Sequence, residues 1–290
     1  VMSILPSSSR YSHCWKSVFL VESSKMNVAL FGNSRPEITE QIRQQVLKLP
    51  GVSLVKEDAT IDMALSVGGD GTFLRTAAAI GRRGVPILGI NAGHLGFLAD
   101  VPLSEVDAAL HSILVEQQFE VEHRSLLHLD ILDCHQPYQQ NALNEVAILK
   151  RDQSSMVSVS VYVDGNFLNQ YDADGLAIAT ATGSTAYAMS AGGPILEPQS
   201  NCWVLVPIAP HSLTTRPLVI RDSCDLDIVV ESRNNIYLVA TDGKPVHLTT
   251  QSKLHLSKAD YQIGVVRRPD HTFFDTLRTK LMWGRDGRYL

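Results

Sequence analysis

The first half of the chain alternates between two hydrophobic periods, one typical of strands and one typical of helices. Three apolar runs are predicted to be buried strands: MNVALFG, DMALSVGG and VPILGI. Three segments, one after each of these runs, have apolar residues three or four positions apart and are predicted to be helices: SRPEITEQIRQQVLKLPG, TFLRTAAAIGRR and SEVDAALHSILVEQ. Alternating strands and helices are typical of a parallel sheet covered by helices.

Three predicted helices begin with the spacing of a capping box, in which a hydroxyl residue precedes an acidic residue by three positions. The pairs are Ser34 with Glu37, Ser104 with Asp107, and Thr272 with Asp275. We therefore expect the hydroxyl residue of each pair to cap a helix.

From about residue 119 the pattern changes to short strands separated by turn residues. The predicted strands are FEVEHR, LLHLDILD, NEVAIL, MVSVSVYVDGNFLNQ, GLAIATA, CWVLVPIAP, DLDIVVES, NIYLVATDGKPVHLT and SKLHLSK. Asp164-Gly165 and Asp242-Gly243 have the composition of hairpin turns. This half is therefore predicted to be all-β, and the tail DHTFFDTLRTKLMWG returns to helical spacing.

These patterns predict the fold class and its boundaries. We expect a Rossmann-like α/β domain followed by a β-rich (β-sandwich) domain, with a C-terminal helix that packs back on the first domain. The predicted parts are 1–25, a leader or cloning remnant that is disordered; 26–118, the α/β domain; 119–262, the β-rich domain; and 263–290, the returning segment.

Composition and net charge indicate which kinds of partner and cofactor are not expected. The 290 residues are 44% hydrophobic, enough for two cores, and carry a formal net charge of -5. An acidic chain with a pI near 6.1 is not expected to bind nucleic acid, which selects basic surfaces. The four cysteines are isolated and no apolar run approaches about 20 residues, so we expect a cytoplasmic protein without a zinc site, a disulfide framework or a membrane span.

The stretch SVGGDGTFLRTA, from Ser66 to Ala77, places a carboxylate inside a glycine-rich turn between a strand and a helix. Such a turn suits a phosphate, because its amides and the helix dipole both favour an anion. It is neither a Walker A loop nor a GxGxxG fingerprint. Asp70 would bind Mg²⁺ or take a proton from an attacking hydroxyl, both roles in phosphoryl transfer. The alternative is that Asp70 only caps the helix.

Further candidate residues lie in three other stretches. His94 and Phe97, in the small-residue loop after VPILGI, are candidates to line a cleft at the same sheet edge, although a structural histidine and a core phenylalanine are the plainer interpretation. Asn144 and Glu145 suit an adenine edge and ribose hydroxyls, with a simple loop turn as the alternative. The run DADGLAIATATGSTAYAMSAGGPI is too polar for a core and too specific for a linker.

Together, GGDGTFL, NAGHLGFLAD, NEVAI, DGLAIATATGSTAYAMSAGGPI and PHSLTTRPLVI resemble the NAD kinase family from residue 26 to about residue 283. The resemblance implies Mg²⁺-dependent transfer of a phosphoryl group from ATP to the 2′-hydroxyl of the adenosine ribose of NAD. It implies that Asp70 is the base and that Gly71 shares its contact. It also implies a site between the two domains and a homodimer or homotetramer.

The same resemblance implies roles for the remaining candidates. Asn144 and Glu145 match the pair that holds the adenosine end of NAD. The rest of the dinucleotide would be held by Asp174 and by the segment from Thr185 to Ser190, which includes Ala186 and Tyr187.

Three positions depart from the family pattern. Ala181 replaces a common proline, Asp172 a common arginine and Lys244 a common glutamine. Lys244 would either meet a phosphate or be a solvated hairpin lysine.

Two alternatives to a NAD kinase stay open. A lipid kinase of the diacylglycerol type shares GGDGT, but typically has a Gly-Thr/Ser-Gly-Asn-Asp stretch where this chain has INAGHLGF. A catalytically silent dinucleotide-binding regulator is the other alternative, and the retention of Asp70 weighs against it.

Overall fold

Two β-sheets organise the computed structural model, which describes residues 25–32, 35–93, 96–99, 101–132, 138–151 and 156–282. The strands are β1 (Met26–Phe31), β2 (Val52–Leu54), β3 (Met63–Gly68), β4 (Ile87–Asn91), β5 (Val101–Pro102), β6 (Glu120–Leu132), β7 (Tyr138–Ala142), β8 (Glu145–Lys150), β9 (Val157–Val163), β10 (Asn166–Ala173), β11 (Gly175–Thr180), β12 (Cys202–Ile208), β13 (Leu218–Arg221), β14 (Leu226–Ser232), β15 (Ile236–Thr241), β16 (Lys244–Thr249) and β17 (Lys253–Arg267). The helices are α1 (Pro36–Leu47), α2 (Asp70–Ile80), α3 (Val106–Leu110), α4 (Tyr187–Ser190) and α5 (Phe273–Leu281). No helix among these residues is long and apolar enough to cross a membrane.

The N-terminal region is the predicted α/β arrangement. Strands β2, β1, β3, β4 and β5 pair in parallel. Alternate residues of β1 enter different cores: Val28 packs with Ile42 of α1 on one face, and Ala29 packs with Phe73 of α2 on the other. Because both faces are covered, β3 is buried along its whole length.

The C-terminal half is β-rich, as predicted. One sheet has the order β13-β12-β11-β8-β15-β16, and the other continues from the parallel strands through β17 to β14, β9 and β10. A single apolar core that includes Val159, Trp203, Tyr237 and Leu256 lies between the two sheets. The fold class predicted from the sequence is therefore confirmed.

Both predicted hairpin turns are confirmed. Asp164 and Gly165 have φ values of 48° and 76°, and Asp242 and Gly243 have 45° and 76°. Two consecutive left-handed residues form a type I′ turn, for which Asp-Gly is a preferred sequence. The first turn joins β9 to β10 and the second joins β15 to β16.

One of the three predicted capping boxes is confirmed. At α5, the Asp275 amide donates to Thr272 Oγ1 at 3.3 Å, and the Thr272 amide donates to Asp275 Oδ2 at 2.9 Å. The predicted box at Ser34 is not tested, because that residue lies outside the described residues; α1 begins at Pro36, after the N-cap residue Arg35.

The capping box predicted at Ser104 is wrong. Ser104 lies inside a 3₁₀ turn, Leu103–Glu105, so α3 begins after Glu105 without a side-chain cap. The predicted helix also changes to a π-helical turn, His111–Val115, after one short α-helical segment.

Two predicted strands are one. FEVEHR and LLHLDILD form the single strand β6, because β17 pairs with it along nearly its full length across a shift in register between Lys258 and Gln262. The short strands β2, β5, β7 and β13 were not predicted. The C-terminal helix does return to the α/β region, where Phe273 packs against Phe97 with ring centroids 6.3 Å apart.

The predicted leader lies outside the described residues apart from Lys25.

Candidate active site

Asp70 is the first residue of α2, and its carboxylate faces a neighbouring loop. The N-cap is Gly69, and no side chain caps the helix, so the interpretation of Asp70 as a helix cap is wrong. Asp70 instead accepts three backbone N–H groups: Phe97 donates to Oδ2 at 2.9 Å, and Leu98 and Ala99 donate to Oδ1 at 3.0 and 3.1 Å. The carboxylate is therefore fixed in one orientation.

The loop reaches Asp70 only because residue 96 is a glycine. A Cβ atom at Gly96 would lie 2.0 Å from Asp70 Oδ1, which is far inside a van der Waals contact. An ionised carboxylate has about four acceptor positions, and the three amides occupy two on Oδ1 and one on Oδ2. One acceptor position therefore remains on Oδ2, where a hydroxyl group can donate.

A lysine from the C-terminal helix lies on that side of the carboxylate. Lys280 Nζ is 3.7 Å from Asp70 Oδ2 and 4.2 Å from the centroid of the Phe97 ring. Helical spacing in the tail predicts this helix, but no sequence motif marks Lys280 as a site residue. Its sequence signal was the return of the tail to the α/β region, which brings the last turn of α5 to the start of α2.

The turn that carries Asn144 and Glu145 is held by the partly buried carboxylate of Asp242. Asp242 Oδ2 accepts the Leu143 amide at 2.8 Å, and Oδ1 accepts the Asn144 and Glu145 amides at 2.8 and 3.1 Å. Burial raises the pKa of Asp242, and these three hydrogen bonds act in the opposite direction. The Asp-Gly pair predicts Asp242 only as a hairpin residue, and this second role was not predicted.

Strand β11 and the loop after it hold the same turn from the other side. The Thr180 amide donates to the Asn144 carbonyl at 2.9 Å, and Thr180 Oγ1 donates to the Leu143 carbonyl at 2.6 Å. A Cβ atom at Gly183 would lie 2.0 Å from the Asn144 carbonyl oxygen. Asn144 is thus fixed between two strands, and the glycine permits the close approach.

Glu145 is nearly enclosed, with 8% of the residue exposed. Its carboxylate accepts the Tyr187 amide, while Oε2 has no hydrogen-bond partner among the described residues. Burial, followed by the charge of Asp242, raises the pKa of Glu145 to about 7. Glu145 therefore changes between a neutral acid and a carboxylate close to neutral pH.

Glu145→Gln is expected to stabilise the protein at pH 8 and to have little effect at pH 4.5. Because the folded pKa of about 7 exceeds the ordinary glutamate value of 4.5, the wild-type protein loses stability as pH rises between these values. Glutamine removes that cost, a gain of up to about 3 kcal/mol at 1.36 kcal/mol per pKa unit. Urea unfolding of both proteins at the two pH values measures it, and an equal difference at both would contradict the shift.

A cavity of about 520 Å³ separates α2 from the β15–β16 hairpin. Gly71 and Arg75 line it on the helix side, and Asp242 and Lys244 line it on the hairpin side, with Tyr261 between them. The structure thus brings together two of the predicted site residues, Gly71 and Lys244, from opposite halves of the chain.

The other predicted residues fall into two groups. Thr185, Ala186, Tyr187 and Ser190 lie at or just before α4, next to Glu145. Asp174 lies at the other end of β11 from Glu145. Ala179 pairs with Glu145, whereas Gly175, the residue after Asp174, pairs with Leu149. These two pairs are four residues apart along the strand, about 13 Å at 3.3 Å per residue. There Asp174 Oδ1 contacts Lys150 Nζ at 2.6 Å. His94 lies outside the described residues.

The α/β region, the β-rich domain and a fixed carboxylate in a glycine-rich turn are together typical of phosphotransferases that bind nucleotides. Two family models match the chain: the ATP-NAD kinase N-terminal domain over residues 12–119, and the ATP-NAD kinase C-terminal domain over residues 143–268. The N-terminal match begins within the predicted leader.

Relatives and solved structures agree with these matches. NAD kinase from Bacteroides fragilis is 51% identical over 227 residues, 78% of each chain, and NAD kinase from Flavobacterium psychrophilum is 43% identical over 233 residues, 80% of this chain and 79% of the relative. An Archaeoglobus fulgidus NAD kinase solved with ATP has a TM-score of 0.70 at 27% identity, covering 89% of this chain and 98% of that one. Yeast NADH kinase solved with NADH has the same fold, with a TM-score of 0.82 at 22% identity over 92% of this chain and 90% of that one. The chain belongs to the NAD kinase family.

Proposed function

We propose that this protein transfers the γ-phosphoryl group of ATP to the 2′-hydroxyl of the adenosine ribose of NAD, forming NADP and ADP. The carboxylate of Asp70 carries the proposal, because three backbone amides fix it and leave one acceptor position on Oδ2. A ribose hydroxyl that donates to this position can lose its proton as its oxygen attacks phosphorus. Family membership supports the choice of both substrates.

The surrounding residues supply the means to hold the dinucleotide. Asn144 and Glu145 would bind the adenosine end, and the segment from Thr185 to Ser190 adds the adjoining contacts. Asp70, Gly71 and Phe97 would lie at the reacting ribose, and His94, three positions before Phe97 in the sequence, is a further candidate. Asp174, a strand length from Glu145, would meet the far end of an extended ligand, and Lys244 would meet a phosphate across the cavity from Gly71.

Mg²⁺ would enter with ATP. Among the residues that the structure describes, no three His, Cys, Asp or Glu side chains cluster as a metal cage. Magnesium usually keeps several waters and binds largely through substrate phosphates, so an ion held by the phosphates of ATP would need little contact with the protein. The ion would supply charge neutralisation, while Asp70 orients and deprotonates the hydroxyl.

We also propose the domain division at residue 119, a cytoplasmic location and a homodimer or homotetramer. The separate N- and C-terminal family matches support the division. Cys202 and Cys224 are free thiols, which suits a reducing compartment. Leu213, 89% exposed, offers apolar surface for contact with a second copy.

One assay distinguishes the proposed reaction from the two alternative functions. The protein is incubated with ATP and Mg²⁺ and with either NAD or diacylglycerol, and NADP and phosphatidic acid are measured. We expect NADP only. Phosphatidic acid would instead indicate a lipid kinase, and NAD binding without either product would indicate a silent regulator.

Asn144→Ala is expected to raise the KM for NAD about five- to tenfold with little change in kcat, the cost of about 1 kcal/mol for one hydrogen bond. Alanine keeps the backbone amide that Asp242 accepts, so the turn is preserved. Steady-state kinetics measure the split, with Asn166→Ala in the exposed β9–β10 hairpin as the matched control. A fall in kcat at unchanged KM would refute the adenosine-binding role.

A further inference from the structure

Helix α5 holds Lys280 in a defined position beside Asp70. The capping box at Thr272 fixes the start of the helix, and Leu277 is buried one turn before the lysine. The ammonium group of Lys280 lies over the Phe97 ring, with Nζ 4.2 Å from the ring centroid and 3.7 Å from Asp70 Oδ2. The lysine therefore belongs to the surroundings of the reacting carboxylate although it is more than 200 residues away in sequence.

The distance leaves the ammonium group able to bind something else. At 3.7 Å from Oδ2 it is beyond hydrogen-bond range, so its N–H donors are not used by this carboxylate. Arg278, in the same turn of α5, pairs instead with Asp275 near the helix start. Of these two cations, only Lys280 is directed at the side of Asp70 that has a remaining acceptor position.

The chemistry of the site requires such a cation. A carboxylate next to phosphate oxygens is repulsive, and the repulsion grows when the product carries a 2′-phosphate within contact of Asp70. A lysine close to both anions offsets it, since phosphate is a ligand that a compact ammonium group binds well.

We propose that Lys280 binds the phosphoryl group during transfer and then binds it as the 2′-phosphate of NADP. In the step, the 2′-oxygen forms a bond to the γ-phosphorus as the bond from that phosphorus to the departing oxygen of ADP breaks. The proton of the 2′-hydroxyl goes to Asp70. Lys280 keeps its own proton and donates hydrogen bonds to the non-bridging oxygens. This assignment rests on the proposed function.

A purely structural role of Lys280 would give a different experimental result. If Lys280 only stabilises Asp70 and Phe97, its loss affects the binding of NAD and NADP equally, because the two ligands differ only by the 2′-phosphate. Contact with that phosphate affects NADP selectively. The difference between the two affinities is therefore the decisive quantity.

The test compares Lys280→Met, Lys280→Arg and the control Arg278→Met by calorimetry with NADP and NAD, each without ATP. Methionine keeps an unbranched apolar side chain of similar length and removes the charge. We expect Lys280→Met to weaken NADP binding about 10- to 100-fold, the range for a hydrogen bond to a charged group, and to change NAD binding less than about twofold. Turnover should fall by a similar factor. Lys280→Arg should retain most of the NADP affinity, and Arg278→Met all of it.

Equal effects of Lys280→Met on the two ligands, or no effect on NADP, would overturn the proposal. If that variant does not fold, Lys280→Arg decides: retained preference for NADP supports the assignment, and loss of the preference in the folded arginine variant overturns it. The binding measurements need no turnover. Failure of the wild-type protein to make NADP would therefore count against the proposed function, and an unchanged NADP affinity would count against Lys280 alone.

Discussion

Asp70→Asn is expected to lower turnover with ATP and Mg²⁺ by about 10² to 10⁴, the usual contribution of a general base, and by more if the carboxylate also helps to place Mg²⁺. Asparagine has nearly the same shape as aspartate but cannot take the proton of the 2′-hydroxyl. NAD binding should be nearly unchanged, because the contacts to the adenosine end lie on Asn144 and Glu145. Calorimetry and a rate assay on the same sample measure both quantities.

Asp70→Asn also changes the hydrogen bonds around residue 70, so its turnover must be compared with that of a control variant. The carbonyl oxygen of asparagine can accept the Leu98 and Ala99 amides, whereas its NH₂ group would face the Phe97 amide, a donor against a donor. A modest loss in thermal midpoint is therefore expected. Asp275→Asn, at the capping box of α5, loses a comparable set of local hydrogen bonds and should retain turnover. Near-normal turnover of Asp70→Asn would reduce Asp70 to a support for the loop.

The second large effect is expected from Gly183→Ala. The new methyl carbon would lie 2.0 Å from the Asn144 carbonyl oxygen and 2.6 Å from the Asn144 Cα, and both are backbone atoms that two neighbouring strands hold in place. Relief requires the 143–145 turn to move. Overpacking of this kind costs about 1–3 kcal/mol, and displacement of Asn144 should raise the KM for NAD at least as much as Asn144→Ala does.

Val159→Ala separates the two effects of that substitution. Val159 is buried in the core between the sheets, away from the Asn144 turn, so the variant should lose stability while its KM for NAD stays unchanged. Thermal unfolding and steady-state kinetics are measured on both variants. A Gly183→Ala protein that is as stable as the wild type, with an unchanged KM, would show that the loop after β11 does not fix Asn144.

Sequence patterns predicted correctly the hairpin turns and the capping box that form between residues close together in the chain. Asp-Gly forms both hairpins because two adjacent residues must adopt left-handed φ values, and a sequence shows that directly. Thr272 and Asp275 form a capping box because the helix begins between them. The same spacing at Ser104 failed, because a 3₁₀ turn that the pattern did not predict delays the start of α3.

The site residues that were missed act over long distances in the chain. Asp242 holds the turn at Asn144, 98 residues earlier, and it was already assigned to a hairpin that explains its presence in the sequence. Lys280 reaches Asp70 only because α5 returns to the α/β region. Such contacts depend on how the sheets pair, and hydrophobic periodicity contains no information about partners so far apart.

The contacts around Asp70 explain why an acidic residue lies in a turn suited to phosphate. Three amides from the loop after β4 fix the carboxylate, Gly96 permits their approach, and Lys280 offsets the charge. The remaining acceptor position on Oδ2 is thus available to a hydroxyl beside the phosphates. The arrangement suits proton removal and phosphoryl transfer at a single point.

The most direct test compares NAD with an NAD analogue that lacks the 2′-hydroxyl of the adenosine ribose. Each is incubated with the wild-type protein, Mg²⁺ and ATP labelled in the γ-phosphate, and the label in the dinucleotide is measured together with ADP. We predict one labelled phosphate on NAD for each ADP formed, and none on the deoxy analogue although it binds. Equal labelling of both dinucleotides, or no labelling of NAD by protein that binds it, would contradict transfer to the 2′-hydroxyl.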